Sequence, residues 1–124
     1  MDVTPLGFRT LITATLSVRN GPRAIAFYKD AFGAVELHRV DGDDGTAVAQ
    51  LAVSGAEFWV ADETPAGGCS VRMLLMVEDP DAVCRRAIAA GAKQVVPVAE
   101  SHGWRLGRIL DPFGHHWEIG RQGG

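Results

Sequence analysis

One order of elements occurs twice in this chain, and an internal repeat constrains architecture more tightly than any single element does. In the first copy, residues 11–18 alternate. Ile12, Ala14, Leu16 and Val18 fall on one face, and Leu11, Thr13, Thr15 and Ser17 on the other, the two-residue period of a strand. Asn20 then caps a helix with Pro22 in its first turn. Its apolar stripe is Ala24, Ile25, Phe27, Tyr28, Ala31 and Phe32, and Gly33 is placed to end it. Strands are expected over 34–40, 46–53 and 56–61, separated by the turns at 41–45 and at Ser54-Gly55.

Residues 62–70, DETPAGGCS, break the pattern and read as a linker, and residues 1–9 show no periodicity. The same elements then return. Residues 71–77 alternate as a strand, and Asp79 caps a helix that opens with Pro80. Val83, Ala87 and Ile88 form its inner stripe, and Gly91 ends it. Strands follow over 93–98, 104–110 and 115–119, the last two joined by the turn Asp111-Pro112-Phe113-Gly114. Val18 overlays Val77, Asn20 overlays Asp79, and Gly33-Ala34 overlays Gly91-Ala92. Residues 55–59, GAEFW, overlay residues 114–118, GHHWE.

The expected fold is therefore α+β: two βαβββ modules forming a half-open, barrel-like trough with the helices outside. One domain spans residues 1–124, with halves at about 10–61 and 71–120. Each sheet is expected to bury Ile12, Ala14, Leu16, Val18, Phe58 and Val60, or Val71, Met73, Leu75, Val77, Trp117 and Ile119, beneath its helix.

Composition excludes several function classes. A net charge of −3 without a basic patch argues against a nucleic-acid surface. No apolar run approaches the roughly 20 residues of a membrane helix, and the N-terminus has no signal-peptide pattern. Cys69 and Cys84 are neither a CxxC pair nor beside a histidine, which fits reduced thiols in a cytoplasmic protein.

The doubled βαβββ order, the segment NGPRAIAFYKDAFGA and the ending GWRLGRILDPFGHHWEIG resemble the vicinal oxygen chelate superfamily. That group includes glyoxalase I, extradiol dioxygenases, and bleomycin and fosfomycin resistance proteins. AFYKDAFGA and DPFGHHWEI are most similar to its bleomycin-resistance and PhnB-like branch. The resemblance implies four metal ligands on the inner trough face, from the first and last strand of each half. At those places this chain offers Thr13, Trp59, Arg72 (or Leu74, one pleat away) and Glu118. Glu118 alone matches a ligand type. Arginine repels a cation and tryptophan has no lone pair to give. No metal and no other cofactor is therefore expected. His115 and His116 are neighbours on a strand, point to opposite faces, and cannot chelate one ion together.

The trough instead suits a small organic ligand. Trp59, Leu74 and Met76 supply flat or apolar surface, and Thr13, Thr15, Ser17, Arg72, His116 and Glu118 supply orienting polar groups. Trp104, read as lying in the loop SHGWR, is placed to close over it, and Glu57 either lines the trough or is solvated. Trp59 is open to two readings, a ligand platform or a dimer contact, and Arg72 and Glu118 can equally be partners of each other. The resemblance also implies a homodimer, with clefts either within a chain or between chains. Two functions follow. One is a metal-free binding protein that sequesters an aromatic or peptide antibiotic. The other is a metal-dependent isomerase, lyase or dioxygenase, resting on Glu118 with His116 as proton carrier.

Overall fold

A computed structural model of the chain describes residues 12–62 and 72–123. Its elements run β1 (Thr15–Val18), α1 (Gly21–Phe32), β2 (Val35–Asp41), β3 (Ala47–Val53), β4 (Ala56–Asp62), β5 (Arg72–Met76), α2 (Pro80–Ala89), β6 (Lys93–Ser101), β7 (Trp104–Leu110) and β8 (His116–Gln122). They form two open four-stranded sheets of matching order, β1-β4-β3-β2 and β5-β8-β7-β6. In each, the first strand lies parallel to the last strand of its own module, and the remaining pairs are antiparallel.

Local chemistry sets the helix ends. Asn20 accepts a hydrogen bond from Arg23 N, and Asp79 accepts one from Ala82 N, so each side chain satisfies an orphan amide of the first turn. Gly33 ends α1 at φ 70°, the left-handed value glycine tolerates. α2 stops a turn position earlier than the sequence suggests. Ala90 is its C-cap, and Gly91 lies one residue beyond, at φ 123°. Gly21 admits no side chain, because a Cβ there would stand 2.7 Å from both the Ala47 carbonyl and the Asp62 carboxylate. That carboxylate accepts hydrogen bonds from Gly21 N and Ala47 N, tying the start of α1 to its sheet.

The core is one cluster drawn from both halves: Leu16, Val18, Phe58 and Val60 with Leu75, Ile109, Trp117 and Ile119, beneath Ile25, Tyr28, Phe32 and Ala87 of the helices. Met73 and Val77 pack against it half-buried. Tyr28 sits at the junction, with ring centroids 5.4 Å from Phe58 and 5.6 Å from Trp117. α1 also packs directly on α2.

Some details depart from expectation, among them Ile88, expected on the inner stripe of α2 but 38% exposed. Ile12 is fully exposed, lying ahead of β1, which begins only at Thr15. β6 reaches Ser101, past residue 98, through two register shifts, and β8 continues to Gln122. The segment read as a linker, together with Leu11, Cys69 and Val71, lies outside the described residues, apart from Asp62, which closes β4.

Candidate functional site

Register decides which side chains share a face. Leu16, Val60, Leu75 and Ile119 point beneath the helices, so their alternating neighbours point the other way. On the first sheet this open face carries Thr15 opposite Trp59, and Gln50 opposite Trp59 from the other side. On the second it carries Leu74 opposite Glu118, and Arg72 opposite His116. Met76 lies opposite Gly120 on the same face. A Cβ on Gly120 would clash with Leu106 Cδ2, so a larger residue there would have to displace that leucine.

The overlay of the two halves holds in the register, whereas the first-strand positions facing Trp59 and Glu118 lie one pleat further along than Thr13 and Arg72. Thr15 and Leu74, not Thr13 and Arg72, stand directly beside Trp59 and Glu118. Thr13 lies ahead of β1, where its hydroxyl donates to the Glu57 carbonyl at 3.2 Å. Trp104 is the first residue of β7 and pairs with Gln122, so it is a strand residue at the far end of the second sheet's open face. Trp117 is 2% exposed, in the core as its parity requires.

Thr15, Trp59, Leu74 and Glu118 do not fit the divalent metal that the resemblance implies. One carboxylate is present, a leucine and a tryptophan have nothing to coordinate with, and Arg72 contacts Glu118 at 3.4 Å. Among the described residues no three His, Cys, Asp or Glu side chains gather as a metal-binding group.

The two open faces differ in character. On the first sheet, half-buried Trp59 is flanked by Thr15 and Gln50, and Gln50 Nε2 donates to Glu57 Oε1 at 2.7 Å. Val40 and Val48 lie exposed beside them. The second face is apolar at Leu74 and Met76, which are 57% and 43% exposed, and charged at Arg72, Arg108 and Glu118. Arg108, directly opposite Glu118, is absent from the sequence reading. Its signal was present, since it alternates with Ile109, which is buried in the core. A cavity of about 170 Å³ lies along Val96, Leu106, Gly107, Arg108 and Glu118.

The remaining histidines have other places. His115 is half-buried, and its Nε2 lies 2.8 Å from the Ser17 carbonyl, joining the halves. His102 occupies the β6–β7 turn at φ 52°, beside a cavity of about 470 Å³ lined by Trp104, Arg105 and Arg121. Facing the helix, Arg105 makes a two-pronged contact with Asp81 at 2.7 and 2.8 Å. That guanidinium holds the Asp81 carboxyl below the usual carboxylate range. Burial, with Asp81 nearby, pushes the Cys84 thiol up.

Residues 13–120 match the family model of the glyoxalase-like domain. An uncharacterised protein of Mycobacterium tuberculosis H37Rv is 37% identical over 135 residues, covering 97% of this chain and 79% of that protein. The crystal structure of TioX from Micromonospora sp. ML1 superposes with a TM-score of 0.75 at 28% identity, over 91% of this chain and 99% of that one. A glyoxalase/bleomycin resistance protein/dioxygenase family enzyme from Burkholderia phytofirmans PsJN superposes at 0.72, over 89% and 97%. At 18% identity that likeness is one of fold.

Proposed function

This chain belongs to the glyoxalase-like domain family, and from that premise we propose that it is a metal-free binding protein for a small organic molecule, of the kind that sequesters an aromatic or peptide antibiotic. The observation that carries this reading is the make-up of the open sheet faces. A half-buried indole and exposed apolar side chains lie among orienting polar groups, at positions whose donors do not fit a metal. Sequestration needs affinity without chemistry. The acid–base alternative rests on Glu118, a single carboxylate whose described contact is with Arg72.

In this proposal the ligand is held between two copies of the chain, in two equivalent clefts. Trp59 and Arg72 lie on different sheets, and the halves meet elsewhere, through α1 against α2 and through Tyr28 against Trp117. Each open face therefore has its apolar surface to cover. The faces are also complementary: Glu57 lies on the first, whereas Lys93, Arg72 and Arg108 outnumber Glu118 on the second. A two-fold dimer that sets the first sheet of one copy on the second sheet of the other satisfies both. Among the described residues no helix is long and apolar enough to cross a membrane. The buried thiol of Cys84 fits the cytoplasmic location we assign to it.

Metal analysis of the purified protein followed by fluorescence titration with aromatic antibiotics and their fragments tests the proposal. Absence of stoichiometric metal together with saturable binding is the expected result. About one zinc, nickel, iron or manganese per chain, or no binding of any fragment, would overturn it.

A further inference from the structure

The second sheet's open face carries more positive charge than it neutralises. Arg72, Arg108 and Lys93 project from β5, β7 and β6, and Glu118 is the carboxylate among them. Glu118 is shared unevenly. Its described contact is with Arg72, at 3.4 Å and in an exposed setting, where an ion pair is weak. Arg108 stands directly opposite Glu118 in register. Yet its Nε is buried and has no hydrogen-bond acceptor among the described residues. His116 Nδ1, beside Arg72 in register, is likewise buried and without a partner. A buried guanidinium N–H left unpaired is costly, and Arg108 is one of the residues that line the cavity with Glu118, Val96 and Leu106. The opposite condition holds on the first sheet, where Glu57 accepts a hydrogen bond from Gln50.

We infer that the molecule this protein binds is an anion, an aromatic or heteroaromatic carboxylate or a comparable monoanion, whose charged group is taken by Arg108. The inference rests on the small-molecule reading proposed above and narrows it. A guanidinium presents two parallel N–H donors to a carboxylate, which suits a planar acid better than an amide or an amine. Arg72 adds long-range attraction, and its charge offsets that of Glu118 beside it. A cationic antibiotic would meet like charge here and bind poorly.

Three probes of one shape and different charge test this: 2-naphthoate, 2-naphthamide and 2-naphthylmethylamine, each titrated calorimetrically into the full chain. The wild type should hold the carboxylate at least about tenfold more tightly than either of the others, the worth of one charge-assisted hydrogen bond. Arg108→Gln should abolish that preference and Arg108→Lys should retain part of it. Should Arg108→Gln fail to fold, the more exposed Arg72→Gln should still reduce the preference. Equal affinity for the three probes, with binding intact, would overturn the anion assignment and leave the small-molecule reading standing. Binding of none of them would remove both. A smaller particle mass for Arg108→Gln with its probe preference unchanged would assign Arg108 to the contact between chains, and would also overturn the inference.

Discussion

Tyr28 on α1 donates its phenolic hydrogen to Asp111 in the β7–β8 turn at 2.5 Å, a bond between residues of opposite halves. Asp111 is 3% exposed and accepts three more hydrogen bonds, from Trp117 Nε1 at 2.9 Å and from the amides of Phe113 and His115. One buried carboxylate thus holds the helix of the first module, the last strand of the second and the turn that leads into it.

Asp111→Ala should cost about 3–5 kcal/mol, as breaking a buried charged network does, because four donors lose their acceptor together. Tyr28→Phe removes one donor and leaves three, so a cost of about 1–2 kcal/mol is expected. Denaturant unfolding of both variants measures the difference. Equal costs would contradict the ranking.

Stability should fall at alkaline pH. Burial, and after it the neighbouring Asp111 charge, raises the Tyr28 pKa far above the usual phenol value of 10.0. Below about pH 10 the phenol is protonated in both folded and unfolded chains, and its contribution is complete. Above that, the unfolded phenol ionises while the folded one does not, so stability declines as pH rises. Tyr28 is the chain's single tyrosine, so phenolate absorbance reports it directly. Absorbance should appear together with unfolding, and Tyr28→Phe should flatten the decline. Ionisation in the native state would contradict the assignment.

Cys84 should resist alkylation at neutral pH in the native protein and react once denatured. Burial, with Asp81 nearby, pushes its thiol up and away from the reactive thiolate. Peptide mass spectrometry separates it from Cys69. Rapid native labelling would mean that the α2 side of the core opens more readily than its packing implies.

Much of this was legible in the sequence. The repeat, both helix caps and the core parity of Trp117 follow from periodicity and turn chemistry, which act over a few residues. Asp111 could be read only as a turn residue, since its tyrosine partner lies 83 positions away. The sheet register had to place Thr15 and Leu74 beside Trp59 and Glu118, because period two alone leaves a pleat of freedom. The β6 bulges that carry that strand to Ser101 have no sequence signature. Arg108 was legible by parity, but it stands on β7, whereas the ligand positions that the resemblance implies lie on the first and last strand of each module.

If the open faces are covered by a second copy, light scattering at micromolar concentration should give about twice the 13.2 kDa chain mass. A mass of one chain would place the ligand on a single sheet and contradict the two-copy cleft.

Calorimetric titration of 2-naphthoate into wild type, Trp59→Ala and Trp117→Ala tests the central claim most directly. Trp59 is half-buried on an open face, whereas Trp117 is 2% exposed in the core. Wild type should bind one probe per chain. Trp59→Ala should lose on the order of 1–3 kcal/mol of binding, as a central aromatic anchor does, with its melting temperature nearly kept. Trp117→Ala should instead lose about 3–5 kcal/mol of stability to the cavity it opens. A Trp59→Ala protein that binds the probe as tightly as wild type, or that unfolds as readily as Trp117→Ala, would contradict the assignment of the open faces as the binding site.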